Sequence, residues 1–269
     1  FYNLFLNRYI VSRIMFLISD LDSTLIYSHQ DEGVCVEYLD GRPITYMTDR
    51  AFNMLDMLLT VRSFHLVPCT LRSWEQTSRV SFVREGRTPI VVCDNGFSII
   101  REGFLDKDWD RHMHSIIETD KIAALRSKIL RFVEKFEIPI KQVKSNRDSF
   151  LTLIFQDAQS SKRYADGILS VVPDDYKISK QGRKIYIIPL ALDKSLAVKY
   201  LQGIYKDERF ITAGDSDVDK KFVLLGDIRI IPRHSSIELK NAVITKQAGA
   251  LAAEDILEYC IKSNDLIPE

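Results

Sequence analysis

The stretch FLISDLDSTLIYS, residues 16–28, joins an apolar run to two acidic residues and several hydroxyl groups. Residues 15–19 predict a buried parallel strand that runs into a loop, because such strands are continuously apolar. Asp20 and Asp22 begin that loop, so both carboxylates can converge on one site. There, one carboxylate can attack phosphorus as a nucleophile while the other transfers the leaving-group proton. Taken alone, the pair is equally consistent with a solvated loop.

Strands and helices alternate outward from this stretch. Strands are predicted at 64–69, 89–93, 209–213 and 228–231, and helices at 49–61, 74–84, 193–202 and 252–262. This alternation predicts an α/β fold with a doubly wound parallel sheet. Ligands of such sheets bind at the carboxyl ends of the strands. Asp20, Thr70 and Asn95 each follow a predicted strand, so we expect them at one edge of the sheet.

The alternation changes at about residue 102 and returns at about residue 190. Between these points the predicted order is a long amphipathic helix at 114–136, a strand at 149–155, a helix at 161–172 and a strand at 184–188. This order is typical of a small α+β module inserted into a larger domain. The sequence therefore predicts a core at residues 15–101 and 190–269 with an insert at 102–189. Residues 1–14 are expected to be an N-terminal extension.

Charged side chains elsewhere suit a phosphate site. Gly214 to Asp219 form an acidic cluster after a predicted strand, where oxygen ligands can hold a hard cation such as Mg²⁺. Two anions that act on an anionic phosphate need such a cation. An EF-hand calcium loop is excluded because its closing Glu is absent. Lys194 opens a helix, where its charge opposes the helix dipole and indicates a neighbouring anion. A solvated turn and a surface lysine are the alternatives when each is taken alone.

Together these segments resemble the haloacid dehalogenase (HAD) superfamily of phosphatases. The four motifs match, in the expected order and spacing, as Asp20-Leu21-Asp22-Ser23-Thr24, Thr70, Lys194 and Gly214-Asp215-Ser216-Asp217-Val218-Asp219. The resemblance implies that Asp20 forms an aspartyl-phosphate and that Asp22 is the general acid and base. Thr70 and Lys194 would hold the phosphoryl group.

The same resemblance implies a Mg²⁺ site made by Asp20, Asp215, Asp219 and the main-chain carbonyl of Asp22. The insert lies between the second and third motifs, which resembles the C2 cap class. That class includes Cof-type sugar phosphatases, sucrose-phosphate phosphatase, trehalose-phosphate phosphatase and phosphomannomutase. Val218 departs from the family pattern because Asn usually stands directly before the last Asp.

Four residues are candidates for substrate contacts: Leu71, Arg72, Asn95 and Arg147. Leu71 replaces the Gly of a Thr-Gly-Arg motif, so the loop conformation is expected to differ. Arg147 precedes a predicted strand of the insert and is a candidate for binding a sugar hydroxyl or a second anion. A solvated or salt-bridged arginine is the alternative for both Arg72 and Arg147.

Composition limits the class of protein and its partners. The 269 residues carry 37 Lys and Arg against 37 Asp and Glu, so no net field favours nucleic acid or an anionic membrane. No uncharged apolar run of about 18 residues is present, so no transmembrane helix is predicted. The cysteines form no metal-binding spacing and are expected to be free thiols in a reducing, cytoplasmic compartment. The sequence leaves the oligomeric state open.

The leading hypothesis is a magnesium-dependent phosphomonoesterase that acts on a small phosphorylated metabolite, with a sugar phosphate favoured. A phosphomutase of the phosphomannomutase type is an alternative with the same first chemical step. A non-catalytic regulatory protein that kept the fold is a third hypothesis, which the functional side chains at all four motif positions disfavour.

Overall fold

The computed structural model describes residues 13–28 and 33–263. The predicted extension at 1–14 therefore lies outside the described residues except for its last two positions. The described strands are β1 Met15–Ser19, β2 Val34–Leu39, β3 Arg42–Met47, β4 Phe64–Pro68, β5 Ile90–Cys93, β6 Ser98–Arg101, β7 Phe104–Leu105, β8 Ile140–Asn146, β9 Phe150–Phe155, β10 Tyr176–Gln181, β11 Lys184–Pro189, β12 Arg209–Ala213, β13 Ile228–Ile231 and β14 Val243–Ile244.

The helices surround these strands. They are α1 Asp49–Leu58, α2 Trp74–Thr77, α3 Ser81–Arg84, α4 Lys107–Ile116, α5 Thr119–Lys135, α6 Ala158–Leu169, α7 Lys194–Ile204, α8 Lys220–Val223 and α9 Leu251–Ser263, with a 3-10 turn at Asp94–Gly96. The predicted helix at 74–84 is two short helices, α2 and α3. Ser73 caps α2 by accepting a hydrogen bond from the Gln76 amide, and Val80 is extended between the two helices.

A parallel sheet of five strands, in the order β14-β13-β12-β1-β4, lies at the centre of the molecule. β5 continues this sheet beyond β4, because Cys69 and Val92 form a parallel bridge. The Thr70 amide donates to the Val92 carbonyl at 2.9 Å. The predicted α/β class and parallel sheet are therefore confirmed.

β1 is buried along its whole length because helices cover both faces of the sheet. Its alternate side chains enter two different parts of the core. Met15 and Leu17 pack in a cluster that includes residues of α1 and α9. Phe16 and Ile18 pack in a second cluster that includes residues of α7. This arrangement fixes the end of β1 and therefore the position of Asp20.

A second sheet is antiparallel, in the order β10-β11-β9-β8. One face is apolar, with Leu151, Leu153 and Ile185 packed in the same cluster as residues of α5 and α6. β8 and β10 were not predicted, because their sequences IKQVKSN and YKISKQ are mostly polar. This sheet lies within the segment predicted as the insert. The domain boundaries at 102 and 189 stay a prediction.

The predicted single helix at 114–136 is wrong, because the structure has two helices there. Ile117 is extended, with φ −99° and ψ 116°, and it separates α4 from α5. Trp109 of α4 is buried, and its indole N–H donates to the Gly96 carbonyl at 3.0 Å. α4 therefore packs beside the strands of the core, whereas α5 packs on the antiparallel sheet.

β2 and β3 form a hairpin that follows the first acidic loop and was not predicted. The pairing shifts register around Glu37, whose side chain is fully buried. A buried acid and Pro43 both obscure a strand pattern in the sequence. The hairpin brings Glu37 to the candidate site described next.

Candidate active site

The carboxyl ends of β1, β4 and β12 lie side by side because these strands are neighbours in the parallel sheet. Asp20 directly follows β1, and its amide donates to the Ala213 carbonyl at 2.9 Å. Asp20, Thr70 and Asp215 therefore meet at one edge, as the sequence predicts. They line a cavity of about 820 Å³ between this edge and the antiparallel sheet.

Lys194 is fully buried at the start of α7. Asp193 precedes it as the helix cap and accepts a hydrogen bond from the Ser195 amide at 2.8 Å. The Lys194 ammonium donates to Asp20 Oδ1 at 2.7 Å and to Asp219 Oδ1 at 2.6 Å. Burial alone would lower the pKa of Lys194, but the Asp20 and Asp219 carboxylates raise it above its usual range. Lys194 therefore stays charged. Asp20 and Asp219 are the neighbouring anions that its position at a helix start indicates.

Asp20, Asp215 and Asp219 each offer a carboxylate oxygen within 4.8 Å of the other two. Burial raises the pKa of Asp20, and Lys194 opposes this increase. Burial, followed by the nearby Asp219 charge, raises the pKa of Asp215 to about 6. Crowded, partly buried carboxylates are a donor set that a hard divalent cation stabilises. These three residues therefore fit a Mg²⁺ site.

Neighbouring groups hold the acidic cluster in place. Asp219 Oδ2 accepts hydrogen bonds from the Ser216 amide at 3.0 Å and the Ser216 hydroxyl at 2.6 Å. The Thr24 hydroxyl donates to Asp215 at 3.4 Å. A Cβ atom at Gly214 would lie 2.6 Å from the Asp219 Cβ. Glycine is therefore required where the chain turns from β12 into this loop.

Asp22 lines the same cavity, but its carboxylate is not one of the three grouped in the acidic cluster. It is held by Arg72, whose Nε and Nη2 atoms each donate to it at 2.7 Å. Arg72 Nη1 donates to Glu37 at 2.7 Å, and Arg79 and Thr45 also donate to Glu37. Arg72 thus links the proposed acid–base residue to the β2–β3 hairpin. An ion pair of this kind was the alternative to a substrate contact in the interpretation of Arg72.

Two of the remaining predicted residues line the cavity. Thr70 is buried, and its hydroxyl oxygen accepts a hydrogen bond from the Arg72 amide at 3.1 Å, which leaves the hydroxyl proton available. Leu71 also lines the cavity. Its φ is not positive, so this loop accepts Leu where the family has Gly. The departure at Val218 places an apolar, buried side chain beside the cavity.

Asn95 and Arg147 lie outside this cavity, in contrast to the prediction of substrate contacts. Asn95 is buried in a left-handed turn with φ 58°, and its amide donates to the Leu192 carbonyl at 3.4 Å. It therefore supports the segment that leads into α7. Arg147 donates to Ser98 at 2.9 Å and to Asp110 at 2.8 Å, so protein groups already occupy its guanidinium.

The polar face of the antiparallel sheet forms the opposite wall of the cavity. Alternation along each strand puts these side chains on the face opposite to the apolar residues that pack on α5 and α6. They are Lys144 and Asn146 of β8, Thr152 and Ile154 of β9, and Lys184 and Tyr186 of β11. We call this set, with Gln181 and Arg183, the cap face.

Sequence reasoning missed several residues that line the cavity. Four of these residues belong to no recognisable sequence motif, and each reaches the cavity from a part of the chain distant from the four motifs. They are Glu37, Arg79, Tyr186 and His234. His234 Nε2 bonds the Ser23 carbonyl at 2.9 Å, while its Nδ1 accepts from the Gly249 amide at 3.0 Å. The alternation of Lys184 and Tyr186 with buried isoleucines was a signal that could have identified the cap face.

The strand order and the side chains at the strand ends are those of the HAD superfamily, and the protein is a phosphatase of that class. The chain belongs to the sucrose-6F-phosphate phosphohydrolase family, whose model matches residues 13–244. A search of curated protein sequences finds no match.

Solved structures share the fold. The sucrose-phosphatase of Synechocystis sp. PCC6803, solved in complex with sucrose and phosphate, is 17% identical with a TM-score of 0.61; the match covers 94% of this chain and 98% of that chain. The C-terminal domain of the C. albicans trehalose-6-phosphate phosphatase is 14% identical with a TM-score of 0.61, over 96% and 94% of the two chains. A HAD/COF-like hydrolase from Plasmodium vivax is 14% identical with a TM-score of 0.62, and the match covers 94% of this chain and 98% of that chain.

Among the described residues, no helix is both long and apolar enough to cross a bilayer. The cysteines described are free, as predicted.

Proposed function

We propose that the protein is a Mg²⁺-dependent phosphomonoesterase that hydrolyses a phosphorylated sugar through an aspartyl-phosphate on Asp20. The observation that carries this proposal is the buried pairing of Asp20 with Lys194 at the floor of a cavity. The Lys194 ammonium, 2.7 Å from Asp20 Oδ1, holds the Asp20 carboxylate in one orientation. The same ammonium offers a positive charge to the incoming phosphate.

In the first step a carboxylate oxygen of Asp20 attacks phosphorus, and the bond between phosphorus and the leaving-group oxygen breaks. Asp22 donates a proton to that oxygen, so the sugar leaves as a neutral alcohol. Lys194 and the Thr70 hydroxyl stabilise the negative charge on the phosphoryl oxygens. The available proton of the Thr70 hydroxyl supports this role.

In the second step water attacks the phosphorus of the aspartyl-phosphate. Asp22, now ionised, accepts a proton from that water, and the Asp20 carboxylate is released with inorganic phosphate. Arg72 holds Asp22 in one orientation, and Glu37 anchors Arg72 from its other side. Both Asp22 oxygens accept from Arg72, so one of them would have to leave this pair to carry the proton of the first step.

Asp20, Asp215 and Asp219 would hold Mg²⁺, with the main-chain carbonyl of Asp22 as a further ligand implied by the HAD resemblance. Bound Mg²⁺ would offset the negative charges of phosphate and Asp20, which otherwise repel each other. The three crowded carboxylate oxygens within 4.8 Å support this assignment.

Three observations support a phosphorylated sugar as the substrate. The chain belongs to the sucrose-6F-phosphate phosphohydrolase family. The cavity of about 820 Å³ has the size of a small-molecule site. Asn146, Thr152 and Tyr186 on its wall offer hydrogen-bonding groups for hydroxyls.

Phosphate release from a panel of sugar phosphates, with Mg²⁺ and with a chelator, tests the proposal. We expect release that requires Mg²⁺ and falls by about a thousandfold or more in Asp20→Asn, because the nucleophile is lost. Asp217→Asn is the matched control, since Asp217 is an exposed acid of the loop that carries Asp215. Undiminished activity in Asp20→Asn would contradict the mechanism. Phosphoryl transfer that needs a bisphosphate activator and releases no phosphate would indicate a mutase instead.

A further inference from the structure

The cap face carries positive charges that the proposed chemistry does not use. Lys144, Arg183 and Lys184 all line the cavity from the antiparallel sheet or the turn beside it. Within residues 13–28 and 33–263, none of the three forms an ion pair with a carboxylate. No acidic residue of the cap face lines the cavity in this part of the chain.

Three carboxylates on the opposite wall, those of Asp20, Asp22 and Glu37, already have cationic partners, and Asp215, the fourth, belongs to the proposed metal site. Asp22 and Glu37 are paired with Arg72, and Glu37 also binds Arg79. Asp20 is paired with Lys194. The charges of the cap face are therefore not balanced by direct pairing across the cavity.

The three cations also lie near one another. Lys144 pairs with Thr152 across β8 and β9, and Lys184 pairs with Ile154 across β11 and β9, so both lysines stand on one face. Partial burial lowers the pKa of Lys184, and Asp22 opposes this change. The neighbouring charges of Arg72, on the opposite wall, and of Arg183 and Lys144 lower it further. Like charges gathered at a cavity wall disfavour each other unless a ligand anion joins them.

We infer that the leaving group carries a second anionic group, a carboxylate or a second phosphate, which Lys144, Arg183 and Lys184 bind. This inference rests on the proposed function, because it names the class of sugar phosphate that the same cavity accepts. The transferred phosphate lies at the strand ends beside Asp20 and Lys194, and the second anion lies at the cap face. A neutral sugar would leave the three cations with water as their only partner, whereas Asn146 and Tyr186 still serve its hydroxyls.

Matched substrates test the inference. Phosphate release is measured for gluconate-6-phosphate against sorbitol-6-phosphate, its neutral open-chain counterpart, and for fructose-1,6-bisphosphate against fructose-6-phosphate. The first pair adds a carboxylate and the second pair adds a phosphate, so the two arms distinguish the sources of the anion. We expect kcat/KM to be about tenfold or more higher for at least one anionic partner.

The variant Lys144→Gln/Lys184→Gln should reduce that selectivity ratio by about tenfold or more, because charge-assisted hydrogen bonds are lost. Lys162→Gln is the control, since Lys162 is an exposed lysine of α6 away from the cavity. A role of the lysines in folding alone would lower kcat/KM equally for both members of a pair. Equal kcat/KM for both members of each pair in the wild type, or an unchanged ratio in the double variant, would overturn the inference.

A binding measurement separates this inference from the proposed function. The variant Asp20→Asn is titrated calorimetrically with the same ligands in the presence of Mg²⁺. Tighter binding of the anionic partner, lost in Asp20→Asn/Lys144→Gln/Lys184→Gln, supports the cap-face site even if no turnover occurs. Equal affinities refute that site even if the wild type hydrolyses every substrate.

Discussion

At the scale of residues, Lys194 is the most constrained group of the candidate site. It is buried, and it contacts two carboxylates at 2.7 Å and 2.6 Å. Removing one member of a buried charge pair is strongly unfavourable, because the remaining charge has neither solvent nor a partner. The lysine therefore links the stability of the fold to the chemistry at Asp20.

We predict that Lys194→Met loses catalysis and stability together. Phosphate release should fall by about a hundredfold to a thousandfold, because an electrostatic partner of the reacting phosphate is removed. The free energy of unfolding without Mg²⁺ should fall by about 3–5 kcal/mol, because Asp20 and Asp219 are left unpaired. Rates and denaturant unfolding curves measure the two effects.

Lys199→Met is the control for this prediction, since Lys199 is an exposed residue of the same helix. Its rate and stability should stay near those of the wild type. Normal stability and activity in Lys194→Met would refute the assignment.

The sequence was most informative for residues that carry motif chemistry at strand ends. Asp20 and Thr70 were predicted at one edge with Asn95, and the HAD resemblance implied that Lys194 and Asp215 belong to the same site; Asp20, Thr70, Lys194 and Asp215 all line one cavity. Their catalytic roles remain proposals. Glu37 could not be predicted, because its importance comes from long-range contacts with Arg72, Arg79 and Thr45 that no local pattern reveals.

At the scale of elements, the turn from β12 into the acidic loop is shaped by close packing. Gly214 leaves no room for a Cβ atom beside Asp219. A side chain there would displace the carboxylate that pairs with Lys194 and belongs to the proposed metal site. Backbone geometry at the strand end therefore controls where that carboxylate lies.

We predict that Gly214→Ala raises the Mg²⁺ concentration needed for half-maximal activity by at least about tenfold, because displaced supporting groups reduce metal affinity to this extent. A titration of phosphate release with Mg²⁺ measures this effect. Gly203→Ala is the matched control, because a Cβ atom at Gly203 of α7 would meet no atom within 4 Å. That change should stabilise the protein by about 0.5–1 kcal/mol. An unaltered Mg²⁺ requirement in Gly214→Ala would contradict the packing argument.

Elements with a clear apolar period were predicted well, and polar ones were not. β1 and α7 follow their expected bounds closely, because their apolar residues face the core in a regular pattern. β8 and β10 were not predicted because their sequences contain few apolar residues. A strand of this sheet packs on the core with one side only, so its other side can be polar. The break at Ile117 was missed because apolar residues continue through it in helical spacing.

At the scale of the whole molecule, the candidate site lies between two sheets of different character. The parallel sheet supplies fixed carboxylates and Lys194, and the antiparallel sheet supplies a polar, cationic wall. This arrangement supports two separate proposed roles. The strand ends carry out the chemistry, and the cap face selects the leaving group. The sequence predicted the parallel sheet and two strands of the inserted module, but it did not predict which side chains face the cavity, because this depends on strand register.

The proposed mechanism requires that Asp20 becomes phosphorylated during turnover. The most direct measurement mixes enzyme, Mg²⁺ and a hydrolysed sugar phosphate, quenches the reaction in acid within a single turnover, and maps phosphorylated peptides by mass spectrometry. We predict a transient phosphoryl group on Asp20 that disappears as phosphate is released and is absent from Asp20→Asn. A phosphoryl group on another residue, or phosphate release from Asp20→Asn at the wild-type rate, would rule out Asp20 as the nucleophile.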